Sequence, residues 1–504
     1  MGIIIEESKC IGCGLCEIAC AYDAIDVHMK ANVDNSKCTD CAICLDYCPT
    51  DCITLEEPLV VRSAFPPGEA TFDVAIIGSG VGGLCTGALL ARQGYKTLVL
   101  ERNPTVGGRY SSLKHKGVTF PTGGSLVGKG GPLEEVFDEV GAEFDLATPT
   151  VNPRYWVRGR GWVDPGEGSS QLRRTLTLVS NQEEADRVMG SMREILTSRT
   201  FPDGTMVQWI DSLTENEDVS GIFKAITAAA FGPEDVPAGD FFGLLAATAG
   251  RGMGLARRGG LGLMRSLAKV IVENGGEVWK LSTVKNVLLE DGQAVGVEVK
   301  RRGAPWKVRA NVVVSDIGPK QTIRMLGEET LDPKYISYVD DQIRPMGGIT
   351  VHLVSDKSLV DDFPGVIYAV GARRLCIFFE ASRIADWAPP GKYITEMYPK
   401  ADPDPGVAAD LEVHAEEAAA DLDDIFPGWR EHAEMNVICL QGDYPGNQTW
   451  TGMGVAAETP IANLFMVGDG CQSSLGNAGG TAAAESAQRA SALIQERYPL
   501  AKRA

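Results

Sequence analysis

Eight cysteines near the N-terminus repeat one spacing twice. Each run follows Cys-x2-Cys-x2-Cys-x3-Cys, and the second begins 28 residues after the first; the cysteines are Cys10, Cys13, Cys16, Cys20, Cys38, Cys41, Cys44 and Cys48. Thiolates at this spacing form the ligand run of a [4Fe–4S] cluster. Structural zinc sites use two well-separated Cys-x2-Cys pairs, and disulfide frameworks need an oxidising compartment. The spacing therefore favours iron–sulfur clusters over both alternatives.

The duplication extends beyond the cysteines, because Lys9 and Ile25 recur as Lys37 and Ile53 at the same offset. Over residues 1–57 the chain resembles the bacterial 2[4Fe–4S] ferredoxins. The resemblance implies that three cysteines of one run and the fourth of the other hold each cluster. The ligands implied for one cluster are Cys10, Cys13, Cys16 and Cys48, and those for the other are Cys38, Cys41, Cys44 and Cys20.

A strand, a glycine-rich turn and a helix are predicted after the cysteine repeats. Residues 58–71 contain several prolines and are predicted to form a linker. A buried strand at 74–77 then leads into Gly-x-Gly-x-x-Gly at 78–83, and a second strand ends at Glu101. In this context the helix N-terminus receives a pyrophosphate and Glu101 accepts a hydrogen bond from a ribose hydroxyl. A nicotinamide cofactor and FAD both fit these features.

Motifs at both ends of the remaining chain favour FAD. Gly107-Gly108-Arg109 resembles the Gly-Gly-Arg turn of the flavoprotein superfamily that contains amine oxidases and phytoene desaturases. Near the C-terminus, a predicted strand ends in Gly468-Asp469, and a glycine-rich helix start follows at 476–480. A separate NAD(P) domain is not expected, because no second fingerprint is present.

The resemblance to the phytoene desaturase and retinol saturase branch covers residues 72–145, 255–330 and 455–490. It implies that Asp469 binds the ribityl or pyrophosphate region, that Val284 binds adenine through its backbone, and that the last helix faces the flavin pyrimidine. Arg109 would place a fixed positive charge beside the flavin or pyrophosphate, with a plain salt bridge as the alternative. The expected cofactor-binding residues are Gly78, Gly80, Gly82, Gly83, Glu101, Arg102, Gly108, Arg109, Val284, Gly468, Asp469 and Gly479.

The expected fold is α/β, with a small α+β ferredoxin-like domain at the N-terminus. A Rossmann-like FAD-binding domain is expected beside a substrate domain made of a mixed sheet under a helical cap. The predicted ranges are 1–57 for the ferredoxin domain, 58–71 for the linker, 72–149, 255–330 and 455–504 for the FAD-binding domain, and 150–254 and 331–454 for the substrate domain.

Two apolar stretches of the predicted substrate domain, at 241–247 and 252–258, are rich in small residues. They would line a tunnel for a long apolar substrate, form a packed cap, or dip into a membrane surface. A packed cap is favoured over membrane contact, because a net charge of −20 opposes binding to anionic lipid.

The same acidity argues against nucleic acid as a partner. Residues 1–57 hold 3 Lys/Arg and 11 Asp/Glu, which either steer a basic redox partner or form a solvated surface. No uncharged apolar run of eighteen residues and no signal peptide are found, so a cytoplasmic location is expected.

Two functions remain open on the sequence. A flavin exchanges two electrons with carbon while a cluster carries one, so an enzyme would couple ferredoxin or another low-potential carrier to a carbon–carbon bond of an apolar isoprenoid-like or acyl substrate. Both reduction and desaturation fit. The alternative is an electron-transfer subunit that relays electrons to a partner complex. A region of more than 200 residues set aside for substrate favours the enzyme.

No general acid stands out from the sequence. His115 follows the Gly-Gly-Arg turn and Cys471 follows Gly-Asp-Gly, so both are weak catalytic candidates. Tyr110 and Asn477 lie near the same turns. The other cysteines, including Cys52 and Cys439, are interpreted as small buried hydrophobic residues.

Overall fold

The computed structural model describes residues 3–20, 22, 24–38, 42–48, 50–55, 66–168, 170–248, 252–401 and 410–500. Cys41 and residues 58–65 of the predicted linker lie outside the described residues.

The strands and helices are numbered in chain order. The strands are β1 (Ile3–Ile5), β2 (Ile25–His28), β3 (Lys30–Val33), β4 (Ile53–Leu55), β5 (Gly68–Ile77), β6 (Thr97–Leu100), β7 (Ser112–His115), β8 (Val118–Pro121), β9 (Leu126–Gly128), β10 (Leu146–Ala147), β11 (Arg154–Val157), β12 (Gly161–Val163), β13 (Met253–Ala256), β14 (Glu277–Trp279), β15 (Ser282–Glu290), β16 (Gln293–Arg301), β17 (Ala304–Ser315), β18 (Gly348–Ser355), β19 (Val366–Val370), β20 (Leu375–Glu380), β21 (Tyr393–Pro399), β22 (Ala433–Leu440) and β23 (Leu464–Met466). The helices are α1 (Leu15–Ala19), α2 (Ile43–Tyr47), α3 (Val81–Arg92), α4 (Pro132–Val140), α5 (Gln171–Val179), α6 (Gln182–Ser198), α7 (Met206–Asp211), α8 (Glu217–Phe231), α9 (Ala238–Thr248), α10 (Gly260–Glu273), α11 (Pro319–Leu326), α12 (Pro333–Gln342), α13 (Ala381–Ala385), α14 (Leu411–Ile425) and α15 (Gly479–Arg497).

The N-terminal segment consists of two related halves. Helices α1 and α2 begin after Gly14 and Ala42, which both have left-handed backbone conformations with φ of 72° and 59°. Strand β1 pairs antiparallel with β4, and β2 forms a hairpin with β3. Gly14 and Ala42 stand 28 residues apart, so the repeat seen in the cysteines is also a repeat of the backbone.

The first large sheet has the order β14-β6-β5-β17-β16-β15, and β23 pairs with the end of β17; it is seven-stranded in the described part of the chain. Its centre is parallel, because β5 pairs in parallel with both β6 and β17. Residues 74–77 and 98–100 are buried on both faces, as expected for parallel strands covered by helices on each side. Helices α3, α10 and α15 cover one of those faces.

The second large sheet has the order β12-β11-β19-β20-β21-β18-β22, again seven strands among the described residues. It is antiparallel except where β11 pairs with β19. One face packs against α8 and its neighbouring helices, and the other packs against α14. These two sheets and the small N-terminal segment confirm the expected fold class, including the mixed sheet under a helical cap.

Two of the predicted domain boundaries differ from the boundaries of the strands and helices in the structure. The linker was expected to reach residue 71, but β5 already begins at Gly68, because residues 68–71 pair with residues 306–309 of β17. The substrate domain was expected to resume at residue 331, but Val339 and Ile343 lie in the core of the first sheet. The apolar side of α12 therefore belongs to the dinucleotide-binding part.

No helix in the described ranges is long and apolar enough to cross a lipid bilayer.

Candidate functional site

The glycine-rich turn between β5 and α3 forms one end of a large cavity. Gly78 has a φ of 96°, and a Cβ on Gly82 would lie 2.6 Å from Asp316 Oδ1 and 2.7 Å from Gly468 N. Only glycine fits at such a close approach. Helix α3 begins after Gly80 without a side-chain cap, so its first amides face the cavity edge. This is the geometry of a site for an anionic group such as a pyrophosphate.

Glu101 stands at the end of β6, as the sequence indicated, and its carboxylate is held by the protein. One oxygen accepts hydrogen bonds from the amide and hydroxyl of Ser79, and the other accepts from Asn103 N at 2.7 Å. Burial raises the pKa of Glu101, and the hydrogen bonds from Ser79 and Asn103 oppose that shift. The residue lines the cavity, and its bond to a ribose hydroxyl stays a prediction.

Arg109 and Asp469 form a two-pronged ion pair across the cavity wall. Arg109 Nη1 lies 3.0 Å from Asp469 Oδ2, and Nη2 lies 2.5 Å from Oδ1. The same guanidinium donates to the carbonyl of Gly446 at 3.1 Å, and Asp469 also accepts from Gln448 N at 3.0 Å. Arg109 therefore forms the salt bridge that was the alternative to a charge placed beside the cofactor. Both Arg109 and Asp469 line the cavity.

Asp316 is a residue of this site to which the sequence analysis gave no role. It follows β17, and its carboxylate lies beneath the glycine-rich turn, where a Cβ on Gly80 would come within 2.5 Å of Oδ2. Burial raises its pKa to about 7, and the amide of Gly83 opposes the shift. Within the described residues, Oδ2 is buried and has no hydrogen-bond partner. Its position at the end of a strand that neighbours β5 was the available signal.

The start of α15 lies beside the start of α3 in the cavity wall, where a Cβ on Gly480 would come 4.0 Å from Val81 Cγ2. This helix begins at Gly479 with no side-chain cap, so its N-terminal dipole favours negative charge at the cavity edge. Of the expected cofactor-binding residues, all except Gly83 line the cavity; they are Gly78, Gly80, Gly82, Glu101, Arg102, Gly108, Arg109, Val284, Gly468, Asp469 and Gly479. Gly83 lies behind the turn, where a Cβ would meet the carbonyl of Gly78 at 2.4 Å.

The cavity continues far beyond the glycine-rich turn. Its volume is about 1320 Å³, above the roughly 300–1,000 Å³ of common ligand pockets. Side chains of α8, α9 and the second sheet form the far walls; they include Ile226, Leu244, Leu245, Tyr368, Ile377 and Tyr398. The apolar stretches at 241–247 and 252–258 contribute residues to this wall, which matches their interpretation as a tunnel lining.

The electrostatic neighbours of Cys16 and Cys13 in the N-terminal segment include cysteines of both runs. Burial raises the pKa of Cys16, and the nearby thiols of Cys13, Cys10 and Cys48 raise it further. Burial likewise raises the pKa of Cys13 to about 12, with Cys48 and Cys10 adding to the shift. Three cysteines of the first run therefore lie within electrostatic range of the fourth of the second, and their sharing of one cluster stays a prediction. Thiolates crowded in this way need a compensating cation.

Backbone amides point at the sulfurs of two of these cysteines, Cys10 and Cys48, and at the sulfur of Cys20 from the second set. Ala31 N donates to Cys10 Sγ at 3.3 Å, and Ala24 N lies 3.4 Å from Cys20 Sγ. Cys48 Sγ accepts from Cys52 N at 3.3 Å. Such N–H···S bonds stabilise negative charge on cluster ligands and help to set the cluster potential.

Cys52 lies closer to the first set of predicted cluster ligands than its interpretation as a small buried hydrophobic residue suggested. It is buried, as expected, but its Sγ lies 3.3 Å from Cys48 Sγ. Of the second set, the described residues include Cys20, Cys38 and Cys44, while Cys41 lies outside them. In the described part of the chain, no three cysteine, histidine or acidic side chains converge on a point that would hold a single metal ion.

The loop that carries Cys10 and Cys13 docks on the back of the second sheet. The carbonyl of Ile11 accepts from Cys439 N at 2.7 Å, and the Ile11 side chain is 2 % exposed in the core beside α14. Gln441 Nε2 donates to the carbonyls of Ser8 and Cys10 at 3.0 Å each. The first thiol set is thereby fixed to strand β22 and the residues that follow it.

Tyr444 lies between this thiol set and the cavity. Burial raises its pKa, and the charge interaction with Cys13 adds to the shift. Its hydroxyl donates to the carbonyl of Thr122 at 2.9 Å and lies 3.3 Å from the carbonyl of Gly108. The sequence offered no signal for this bridge, since its partners are more than 300 residues away.

The structure does not bring the two weak catalytic candidates to the cavity. His115 ends β7 in a hairpin with β8 and does not line the cavity wall. Cys471 is buried in the core of the first sheet, and burial raises the pKa of its thiol. Tyr110 and Asn477 do line the cavity.

Two family models match parts of the chain. Residues 3–55 match the 4Fe-4S dicluster domain, and residues 76–140 match the NAD(P)-binding Rossmann-like domain. These matches confirm an iron–sulfur ferredoxin domain joined to a Rossmann-like domain, and a nucleotide cofactor at the glycine-rich turn is in keeping with the second.

Several relatives that match parts of the chain are oxidoreductases. The chain is 44% identical to a phytoene desaturase of Cercospora nicotianae over 70 residues, which is 14% of this chain and 11% of the desaturase. It is 24% identical to the all-trans-retinol 13,14-reductase of Danio rerio over 305 residues, 50% of this chain and 49% of the reductase. The chain thus spans about half of the reductase and a small part of the desaturase.

A solved structure extends the likeness. An oxidoreductase of Methanosarcina mazei superposes with a TM-score of 0.72 and 26% identity, over 83% of this chain and 99% of the other. The expected resemblance to a ferredoxin domain fused to a desaturase-related oxidoreductase is confirmed by these matches together.

Proposed function

We propose that the chain is an iron–sulfur flavoenzyme that holds FAD and two [4Fe–4S] clusters and acts on a carbon–carbon bond of an apolar, isoprenoid-like or acyl substrate. Electrons are exchanged with ferredoxin or another low-potential carrier. Reduction of the bond is the favoured direction, and desaturation is the reverse of the same chemistry.

The observation that carries this proposal is the continuous cavity. One end has the glycine-rich turn and two uncapped helix N-termini, which suit a dinucleotide. The other end has aliphatic and aromatic walls from α8, α9 and the second sheet. A volume of about 1320 Å³ accommodates a dinucleotide and leaves space for a second, apolar ligand. An electron-transfer subunit without its own carbon substrate has no need of this second space.

The residues at the first end fit FAD. The close approach at Gly82 excludes any side chain there, and Glu101 retains lone pairs that a ribose hydroxyl can use. The N-terminus of α15 favours the negative charge of a reduced flavin ring. When bound, the flavin supplies two-electron chemistry toward carbon. The chain's own residues bind and orient it, and the walls of the cavity exclude water.

The thiol groups fit iron–sulfur clusters, which supply one-electron transfer when bound. Cys10, Cys13, Cys16 and Cys48 would hold the cluster on the side of Tyr444. Cys20, Cys38, Cys41 and Cys44 would hold the other. The position of the first set behind the cavity supports exchange of electrons between the N-terminal segment and the flavin site.

The composition supports the proposed partners. A net charge of −20 disfavours nucleic acid, and the acidic N-terminal segment would steer a carrier that presents a basic patch. An apolar small molecule is proposed as substrate because the far cavity walls are mainly aliphatic. Contact with a membrane surface or a partner subunit would serve delivery of such a substrate.

The test is mass spectrometry of small molecules released from protein purified without oxygen. We expect FAD together with a stoichiometric polyprenyl, carotenoid-like or acyl compound. FAD alone, even after incubation with such compounds, would contradict the substrate assignment and favour a relay subunit.

A cavity-filling variant sharpens this experiment. Leu245→Trp, in the far wall, should reduce the apolar compound and leave FAD in place. Leu178→Trp is the matched control, because Leu178 is exposed on α5 away from the cavity, and it should release both molecules like the unaltered protein.

A further inference from the structure

A series of hydrogen-bonded groups leads from the cavity wall into the second sheet. Tyr398 lines the cavity, and its hydroxyl lies 3.1 Å from Ser125 Oγ. Ser125 Oγ in turn donates to Glu396 Oε2 at 2.5 Å. Tyr398 and Glu396 stand two residues apart on β21, so their side chains share the face that looks toward the cavity.

The hydrogen bonds at Tyr398 leave its own proton available for donation. The phenol oxygen accepts from Ser125 N at 2.6 Å and from Leu126 N at 3.0 Å. A phenol has one proton, and neither amide bond uses it; Ser125 Oγ and the Glu396 carboxyl lie within its reach, and a substrate in the cavity would replace them as its acceptor. Two amide donors also stabilise negative charge on the oxygen once the proton has left. The hydroxyl is therefore arranged as a proton donor at the cavity surface.

Glu396 is the group that can restore this proton. It is fully buried, and burial raises its pKa to about 8, opposed by hydrogen bonds from Ser125 and Tyr398. The groups that face it add no positive charge. His352, opposite on β18, has its pKa lowered to about 4 by burial, and Tyr110 is a neutral phenol. A neutral carboxyl group at physiological pH follows.

Loop 123–126 places this series beside the predicted flavin site. A Cβ on Gly123 would lie 2.5 Å from the carbonyl of Arg109, so the loop packs directly on the Gly-Gly-Arg turn. A Cβ on Gly124 would lie 4.0 Å from the Tyr398 hydroxyl. One short loop therefore contacts both the cofactor-binding turn and the tyrosine.

We propose that Tyr398 is the catalytic acid that protonates the substrate, and that Glu396 resupplies it through Ser125. This inference rests on the proposed function, because it assumes that a carbon–carbon double bond is reduced in the cavity. Tyr398 would touch the substrate, whereas Ser125 and Glu396 act through it.

The step balances with a two-electron donor of the dihydroflavin class. One alkene carbon gains a hydride from that donor, the neighbouring carbon gains the Tyr398 proton, and the π bond is lost. The Ser125 hydroxyl turns from Glu396 to the Tyr398 phenolate, passes its proton to that oxygen and takes the proton of Glu396. The Glu396 carboxylate is protonated from solvent before the next turnover.

The first test uses holoprotein purified without oxygen, reduced with dithionite, in deuterated water with all-trans-retinol as the probe. Because dithionite supplies only electrons, both added hydrogens come from solvent, and we expect the product to carry two deuterium atoms, one on each carbon of the former double bond. Tyr398→Phe should lower kcat by about a hundredfold or more, the range of general acid catalysis, with KM and FAD content unchanged. The rate of the unaltered protein is expected to fall as the pH rises through about 8, and Glu396→Gln should remove this pH dependence.

Tyr393→Phe is the matched control, since Tyr393 lies on the same strand as Tyr398, outside the cavity wall, and should keep the full rate. A Tyr398→Phe rate equal to that of the unaltered protein would overturn the inference. Failure of the unaltered protein to reduce retinol or a polyprenyl alkene would count against the proposed function instead.

A second measurement needs no substrate. The infrared spectrum of the holoprotein at neutral pH should contain a band from a protonated carboxyl group that is absent in Glu396→Gln. If the two spectra agree in that region, Glu396 carries no proton and the resupply is refuted whatever the retinol result.

Discussion

The two large sheets build the same cavity in different ways. In the first, the turn at 78–83 and Glu101 come from one continuous strand–helix–strand unit. In the second, each functional contact joins distant parts of the chain; Ser125 and Glu396 are 271 residues apart. The residues of the first sheet that are predicted to hold the nucleotide are therefore close together in the sequence. The second is an assembled wall that determines what else enters the cavity.

The two sheets also differ in what their faces contact. Helices cover the parallel centre of the first sheet. The second has the cavity and cap helices on one face, and Ile11 with α14 on the other. Variants in the first sheet should therefore affect cofactor retention, whereas variants in the second should separate substrate chemistry from electron supply.

The largest effect is expected at the thiol sets. Cys16→Ala and Cys44→Ala should each remove one cluster, about half of the iron, and stop flavin reduction by ferredoxin while FAD stays bound. Iron analysis and anaerobic flavin bleaching measure both results. Cys376→Ala, a buried cysteine of the second sheet, is the control and should change neither. If ferredoxin bleached the flavin of Cys16→Ala at the full rate, the N-terminal clusters would not be the route by which electrons reach the flavin.

The next-largest effect is expected on the pH dependence of stability, measured for one buried carboxyl group from each sheet. The folded-state pKa of Glu396, about 8, lies above its ordinary 4.5, so the folded state binds more protons, and stability falls as pH rises from 4.5 to 8. For Asp316 the same sign holds between 3.8 and 7. Each group contributes up to about 1.4 kcal/mol per pH unit.

Glu396→Gln and Asp316→Asn should each flatten the stability profile within its own window. Thermal melting of the holoprotein across pH 4.5 to 9 measures this. A Glu396→Gln profile parallel to that of the unaltered protein would show that the second sheet does not bury a neutral acid.

A smaller effect is expected at Glu101. Glu101→Ala removes acceptors for Ser79 and Asn103 and the predicted ribose contact, so FAD should be held about 10- to 100-fold more weakly, the equivalent of roughly 1.5–3 kcal/mol for a hydrogen bond to a charged group. Flavin absorbance after gel filtration measures retention, and cluster absorbance should persist. Unchanged flavin content would remove Glu101 from the nucleotide site.

The smallest effect is expected where the N-terminal segment docks. Gln441→Ala removes two hydrogen bonds to the carbonyls of Ser8 and Cys10, which are worth about 1–3 kcal/mol together. Limited proteolysis should release the N-terminal segment faster, with FAD content unchanged. Gln472→Ala, at an exposed residue whose backbone carbonyl accepts from Arg489 of α15, serves as control, and equal cleavage rates in both variants would assign the docking to Ile11 alone.

The sequence predicted the parts of the site that are close together in the chain. The cysteine spacing, the glycines at 78–83, Glu101 and the Gly468-Asp469 turn all carry their geometry in a few neighbouring residues. His115 illustrates the limit of this reasoning, because it is near Arg109 in sequence but β7 carries it away from the cavity. A hairpin separates residues in space that are near each other in the sequence.

The remaining parts depended on tertiary contacts that leave no local pattern. Glu396 occupies a strand position that reads as an ordinary polar residue, and only its burial beside Ser125 and Tyr398 makes it a candidate acid. Tyr444 likewise gains its place between Cys13 and Gly108 from folding alone. The fold class was predictable because periodicity and motifs set it, whereas the strand order of the second sheet was not.

The docking of Ile11 on the back of the second sheet has a kinetic consequence. On the proposed function, the electron carrier meets the acidic segment behind the sheet while the apolar substrate enters in front of it. The two reactants then do not compete for one entrance, so both can be bound in the same turnover. Double-reciprocal plots at several carrier concentrations should intersect rather than run parallel, and excess carrier should not inhibit competitively against the substrate.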